Sequence, residues 1–382
     1  MEPGTEFGRV GFGRPELAGR PGEGGATGVE RPTATRGSDV RHATLWGFAA
    51  ALLVLAGIYF GSRRLKDFDP ALVSYAGATV FCAFGLGYRY SMWLRRPPTR
   101  LFWFRGWQLF LDPRRLPNNA ARFVALFWNN ILAQSFIRRR SRVRWAAHWL
   151  IFWGCILAAA VTFPLSFGWI RFETARDSQS LYQAYVFGVH VFSFPLASPL
   201  APLVFDVLDI SSFLVLGGIF FALWRRGRDR GAFAVQQFSS DLLPLLLLFA
   251  VSVTGLFLTA STHFMRGFHY VFLSQIHAVT VIFTLLYLPF GKFFHIFQRP
   301  AQLGVAYYKK VGAAEAVARC AVCAEPFASV MHREDLKAVE AALGIRYALD
   351  SGGHYQDVCP SCRRKALGVA QGALWPAGNR EV

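Results

Sequence analysis

Charged side chains are scarce in this sequence: Asp, Glu, Lys and Arg make up 17% of its 382 residues, against 53% hydrophobic and 16% aromatic residues. So little charge excludes an ordinary soluble enzyme, where about a quarter of the residues are charged. Acidic residues are scarcer still, 23 against 41 basic ones, which leaves a formal net charge of +18. Such an excess can mark a nucleic-acid binder, but no single soluble segment gathers it. The basic residues stand in blocks beside apolar runs: Arg95 and Arg96, Arg138 to Arg140 with Arg142 and Arg144, Arg225 to Arg230, then Lys292, Arg299, Lys309 and Lys310. Loops rich in Lys and Arg stay on the cytoplasmic side of a membrane, so the charge reads as a topology signal and no nucleic-acid partner is expected. A secretory signal peptide is not expected either, because the first apolar run starts well inside the chain and lacks a convincing cleavage site.

Long apolar runs are what the sequence does have. Crossing about 30 Å of hydrocarbon takes about 20 residues at about 1.5 Å each, and six runs qualify: 43–61, 71–93, 146–168, 203–224, 242–261 and 270–294. Placing the basic blocks inside gives one topology for a multi-pass protein of the inner (cytoplasmic) membrane, with both termini cytoplasmic; only Arg63, Arg64 and Lys66 argue against it. The expected fold is an all-α membrane protein, a six-helix transmembrane bundle with a small cytoplasmic four-cysteine metal-knuckle domain. Residues 1–41, rich in Gly, Arg, Glu and Thr, predict a disordered tail. A transmembrane hairpin follows over 42–95, then an amphipathic cytoplasmic segment over 96–144, whose aromatic and basic residues suit the headgroup layer. Residues 145–299 form the expected four-helix haem-binding domain, and 300–382 the cysteine domain. Between the third and fourth spans, residues 173–202 carry Tyr182, Tyr185, Phe187, His190, Phe192 and Phe194 and predict a short helix at the outer interface.

Of nine histidines, His277 and His295 stand 18 residues apart on the last run. On one continuous helix that spacing is about five turns and about 27 Å, placing both imidazoles on one face, one toward each side of the membrane. Ionisable groups inside spans are costly and usually functional, and histidine is a common axial ligand of haem. His148 opens the third span at the same depth and side as His295, so these two suit a bis-histidine haem b, with Arg142, Arg144 and Lys292 near enough for its propionates. A histidine at a span boundary also suits the headgroup layer; agreement of face, depth and side favours haem. His277 lacks an obvious partner. Either His190, with His263 or His269 behind it, completes a second haem there, or His277 serves proton-coupled chemistry with a quinol.

The run from His277 to Pro300, with Leu288-Pro289-Phe290-Gly291-Lys292 and the 18-residue histidine spacing, resembles the membrane cytochrome b (gamma) subunit of respiratory nitrate reductases. It is similar, too, to the membrane subunits of heterodisulfide reductase and dissimilatory sulfite-reducing complexes. The resemblance covers roughly residues 140–300. It implies haems stacked across a helix bundle, passing electrons between quinol and a cytoplasmic iron–sulfur or molybdenum (molybdopterin) oxidoreductase subunit. His148, His277 and His295 match three of that family's four ligands; the fourth position is Ala158. The first hairpin and the C-terminal region lie outside the resemblance.

Six cysteines remain to be placed. Cys82 and Cys155 lie within spans and read as packing residues. Cys320 and Cys323, then Cys359 and Cys362, form two CxxC pairs separated by 35 residues. Four thiolates so arranged suit a tetrahedral structural Zn²⁺, or a single iron that would carry electrons. His332 and His354 are not expected to be ligands, since four cysteines complete the site. Two further readings stand beside electron transfer. One is a haem-free transporter, although no internal repeat or pair of broken helices points to a carrier site. The other is a membrane anchor that recruits a partner through its zinc-ribbon-like domain.

Overall fold

The computed structural model describes residues 33–373 except 114–115, 176–177, 230, 232–233, 235, 313, 315, 346 and 349–352. The disordered tail expected over 1–41 therefore lies outside the described residues as far as residue 32. From there the expectation is corrected: helix α1 (Thr33–Gly61) already includes residues 33–41. Once the apolar turns beyond residue 43 are helical, each added residue gains a hydrogen bond without a new nucleation cost.

Each of the six apolar runs contains a long helix. Gly37–Gly61, Pro70–Leu94, Arg142–Ser166, Val207–Arg228, Phe238–Phe264 and Tyr270–Tyr287 are each long and apolar enough to cross a membrane. Their outward side chains are apolar: Leu53 is 75% exposed, Phe213 65% and Val279 66%. In water that would be an aggregation surface; in a bilayer it is the surface lipid covers.

Contacts divide the described chain into two compact units. One joins Asp39–Met92 with Ala125–Pro300, and the other joins the described parts of Met1–Ser38, Trp93–Val124 and Ala301–Val382. The segment expected as one interfacial stretch over 96–144 is thus split near residue 124.

In the first unit the helices close on glycines. Helix α2 (Val73–Leu94) meets α1 where a Cβ on Gly87 would stand 2.7 Å from the Trp46 carbonyl oxygen. Beyond α3 (Pro97–Phe110), α4 (Leu116–Phe127) and the short α5 (Ser135–Arg138), the third span is α6 (Arg142–Ser166). After α7 (Leu200–Phe205), the fourth span is α8 (Val207–Arg228). A Cβ on Gly154 of α6 would stand 2.8 Å from the Ser211 carbonyl oxygen, and one on Gly218 of α8 would stand 2.7 Å from that of Ala147. Small residues in matching turns let two backbones touch, the main attraction left to helices in lipid.

The segment expected as an interfacial helix over 173–202 is instead a three-stranded antiparallel sheet with a helical tail in α7. Its strands are β1 (Ile170–Ala175), β2 (Ser178–Val186) and β3 (Val189–Pro195), in the order β1-β2-β3. Phe187 and Gly188 both have positive φ, 50° and 80°, and close the β2–β3 hairpin through the pair Val186 and Val189. Such a two-residue turn matches the twist of its strands. Aromatic and β-branched residues fit the pleated surface better than a helix: Phe194 is buried against Phe172, Tyr182 and Phe205. The loop between the first two spans is tied to this sheet. Asp67 accepts two 2.6 Å bonds from Arg63 and lies 3.2 Å from Arg171. The Arg63 hydrogen bond, aided by the charge of Arg171, holds the Asp67 carboxyl below the usual carboxylate range. Arg63, one of the three charges against the expected topology, is therefore neutralised by a neighbour.

The fifth span is α9 (Leu243–Phe264) and the sixth α10 (Tyr270–Tyr287). The single helix expected over 270–294 is broken. It ends at Tyr287, a short 3-10 turn covers Lys292–Phe294, and a new helix, α11 (His295–Gly312), begins at His295. Pro289 has no N–H to continue the ladder. Arg89 of α2 takes up the freed carbonyls, donating to Pro289 and to Gly291 (3.3 Å) with its guanidinium 4.3 Å from the centre of the Phe294 ring. His277 and His295 thus belong to two helices, and the shared face inferred from their spacing does not exist.

The second unit is built on α3. Phe102, Arg105, Gly106, Leu109 and Phe110 recur at helical spacing on one face. Gly106 lets α3 approach α11, where its Cβ would stand 3.3 Å from the Gly304 carbonyl oxygen. Buried Tyr308 donates a 2.6 Å hydrogen bond to Asp335 of α12 (Val330–Ala342), and Arg105 lies 3.4 Å from that carboxylate. The hairpin β4 (Val317–Arg319) and β5 (Pro326–Ser329) and helix α13 (Pro360–Ala373) complete the unit. The other face of α3 exposes Phe104 and Trp107.

Candidate cofactor and metal sites

His148 sits two turns into α6, which Ser141 caps through its side chain on the Arg144 N–H. Just upstream, a π-helical turn (Trp128–Leu132) gives way to Gln134, whose backbone is left-handed. Buried Gln134 places Oε1 2.7 Å from His148 Nδ1, and the Trp145 indole N–H donates to the Ala133 carbonyl at 2.8 Å, pinning the same bend. His295 opens α11, its Nδ1 2.5 Å from the Lys292 carbonyl oxygen. A carbonyl oxygen only accepts, so Nδ1 of His295 carries the proton and Nε2 keeps its lone pair. With Gln134 Oε1 accepting, His148 has the same tautomer. Burial, then the charges of Arg299 and Lys292, favour the neutral His295 imidazole over the Lys292 carbonyl that opposes them.

The two rings meet edge-on, with centroids 6.3 Å apart and planes at 62°. Two imidazoles bound through Nε2 to one metal at about 2 Å each put their ring centres roughly 6 Å apart. The pair therefore fits axial ligation, each Nδ1–H anchored to an oxygen as metal-bound histidines usually are. Of the cations expected nearby, Arg142 and Arg144 are exposed on α6, while Lys292 is engaged by Asp241 at 2.5 Å. Arg299 is the cation whose field reaches both imidazoles, and its guanidinium stands 4.9 Å from the centre of the Phe136 ring.

His277 faces α9. Thr254 gives its hydroxyl proton to the Ala250 carbonyl (2.7 Å), so its Oγ1 accepts from His277 Nδ1 at 2.9 Å. Thr280 Oγ1 lies 3.2 Å from Thr254 Oγ1, and Gly255 leaves room for the ring. His190 is elsewhere: it lies exposed on β3, with Nε2 2.8 Å from Ser193 Oγ and its ring edge-on to Tyr185. His263 packs on Phe264, and His269 on Phe268 and Phe272. Among the described residues, the ring and hydrogen-bond contacts of His277 include no second histidine.

The four cysteines converge. The sulfurs of Cys320, Cys323, Cys359 and Cys362 all lie within 4.8 Å of one another, and those of Cys323 and Cys359 are 3.8 Å apart. Four sulfurs around one tetrahedral ion at about 2.3 Å are separated by roughly 3.8 Å, so the cluster can hold a single metal ion. The first pair caps the β4–β5 turn, where Ala324 has a φ of 56°, and the second opens α13. Backbone N–H groups of Val322 and Cys359 point at Cys320 Sγ (3.4 and 3.2 Å), and that of Cys362 points at Cys359 Sγ (3.4 Å). Burial pushes the Cys320 thiol up, but the backbone N–H bonds outweigh it and bring it to about 6. Burial and the neighbouring sulfurs push Cys362 up to about 12. His332 lies instead against Phe102 and Tyr308, and His354 bonds the Gln356 N–H.

The chain matches no protein-family model, no curated protein and no solved structure. Sequence reasoning passed over Gln134, Arg89 and the special placing of Arg299. An arginine inside an apolar run was a readable signal for Arg89. Gln134, in a polar stretch, gave none.

Proposed function

We propose that this chain is a membrane cytochrome b subunit that carries electrons between quinol or quinone and a cytoplasmic iron–sulfur or molybdenum oxidoreductase. His148 and His295 would hold one haem b. The observation that carries this reading is the meeting of the two rings, centroids 6.3 Å apart, with each Nδ1 bonded to an oxygen. Arg299, whose charge reaches both imidazoles, would pair with the propionates. When bound, the haem supplies a one-electron carrier whose potential follows from axial ligands, hydrogen bonds and burial. The residues bind it, orient it and keep it out of water.

His277 is the residue for the quinol side. With Nδ1 hydrogen-bonded to Thr254, His277 would offer Nε2 to one of the two hydroxyl protons a quinol releases on two-electron oxidation, the other going to water and the electrons to the soluble partner. In this reading both termini are cytoplasmic and the bundle lies in the inner membrane, which the basic blocks beside the spans support. The cysteine cluster binds Zn²⁺ and holds a docking domain for the soluble partner, which performs the substrate chemistry.

Adding a reduced quinol to membranes that contain the protein tests the electron-transfer half. The expected result is reduction of a b-type haem, lost in His277→Ala while dithionite still reduces that variant. A haem that dithionite reduces but no quinol does would contradict the reading.

A further inference from the structure

Gln134 is a residue whose placing asks for an explanation. It follows the π-helical turn with φ 51° and ψ 39°, a left-handed conformation that glycine or asparagine would adopt more readily. The residue is 3% exposed, and its Oε1 reaches His148 Nδ1 at 2.7 Å. Its carbonyl accepts the Ile137 N–H at 2.9 Å, starting α5 in a new direction. π-turns and left-handed non-glycine residues both cluster at functional sites, because surrounding structure must hold them. Here the distorted stretch delivers a buried amide oxygen to one imidazole nitrogen.

We infer that Gln134 is a positioning residue for the cofactor: it fixes His148 in the Nδ1–H tautomer and raises the basicity of Nε2 toward iron. The inference rests on the proposed haem between His148 and His295. At His295 a backbone carbonyl does the same work and no side-chain substitution can remove it, so Gln134 is the adjustable half of the pair. A stronger acceptor on Nδ1–H makes the imidazole a better donor, favours oxidised iron and lowers the midpoint potential; losing the acceptor raises it.

Three variants of the full chain separate this role from that of a turn former. Gln134→Gly keeps the left-handed backbone without strain and removes the acceptor. Gln134→Leu removes the acceptor and keeps the bulk. Gln134→Glu keeps an acceptor and adds charge. Haem affinity in Gln134→Gly and Gln134→Leu is expected to fall by about 10- to 100-fold, and the midpoint potential in a spectroelectrochemical titration to rise. Gln134→Glu shifts the potential downward. If the leucine variant fails to fold, the glycine variant still answers. A wild-type haem whose potential and affinity are unchanged in the glycine and glutamate variants overturns the role of Gln134 and leaves the haem in place. A wild-type protein that binds no haem overturns the proposed cytochrome itself, and the two failures are told apart by the wild-type spectrum alone.

Discussion

Replacing His295 or His148 with alanine is expected to empty the haem site while leaving the bundle folded. His295 opens α11 and is half-buried; its side chain makes one hydrogen bond, to the Lys292 carbonyl. Losing that bond costs about 1 kcal/mol net, and alanine offsets part of it as the better helix former. His148 likewise gives up one bond, to Gln134. Neither cost unfolds a bundle in which α6 and α8 touch backbone to backbone at Gly154 and Gly218. Each change does remove one of the two proposed axial ligands. Haem per chain, read by pyridine haemochrome on the monodisperse peak, should fall about tenfold or more in both variants, an order of magnitude in line with losing a primary contact to the metal. His277→Ala should keep the wild-type content. Full occupancy in both His148→Ala and His295→Ala would place the cofactor elsewhere, and equal loss in His277→Ala would return that residue to the ligand set.

Cys359→Ser, or a strong chelator, is expected to unfold the metal knuckle and little else. The buried cluster there is small: Cys320, Val358, Cys359 and Cys362, with Val322 and Phe327 packed against it. Three of its four most buried members are the proposed ligands, so their sulfurs are both core and site. Apolar burial on that scale is worth a few kcal/mol at most, about 1.5–3 kcal/mol per fully buried large side chain. Binding of a structural zinc is worth roughly 10–16 kcal/mol at neutral pH, so the metal term dominates. Metal analysis should give one ion per chain in the wild type and none in Cys359→Ser, where protease cuts between Val317 and Ala373 become fast. The haem spectrum should not change. Zinc in the metal analysis supports a structural role; iron with visible thiolate absorbance would make the knuckle an electron carrier. A metal-free knuckle that resists protease would refute both.

The six spans and the four cysteines were legible in the sequence because each depends on a short-range rule: about 20 apolar residues for a span, CxxC spacing for a knuckle. The break in the sixth span shows where that reach ends. Phe290, Phe293 and Phe294 keep the run apolar past Pro289, so hydropathy continues where the backbone does not. The 18-residue histidine spacing then looks like five helical turns although two helices carry it. His148 of the third span and His295 at the start of α11 still meet, ring centres 6.3 Å apart. The sheet over 170–195 was misread because aromatic residues suit both an interface and a pleated strand, and the Phe187-Gly188 turn that decides between them is only two residues long. Gln134 could not be found from sequence at all. Its importance comes from a left-handed backbone and a partner 14 residues away, neither of which leaves a pattern.

The dithionite-reduced minus oxidised spectrum of the purified protein asks directly whether a b-type haem is present. Protein made with ample haem supply should show a sharp α band near about 560 nm, as expected of bis-histidine ligation, with about one haem per chain. A flat difference spectrum from folded, monodisperse protein would contradict the cytochrome reading and leave a membrane anchor or transporter with a metal-binding domain.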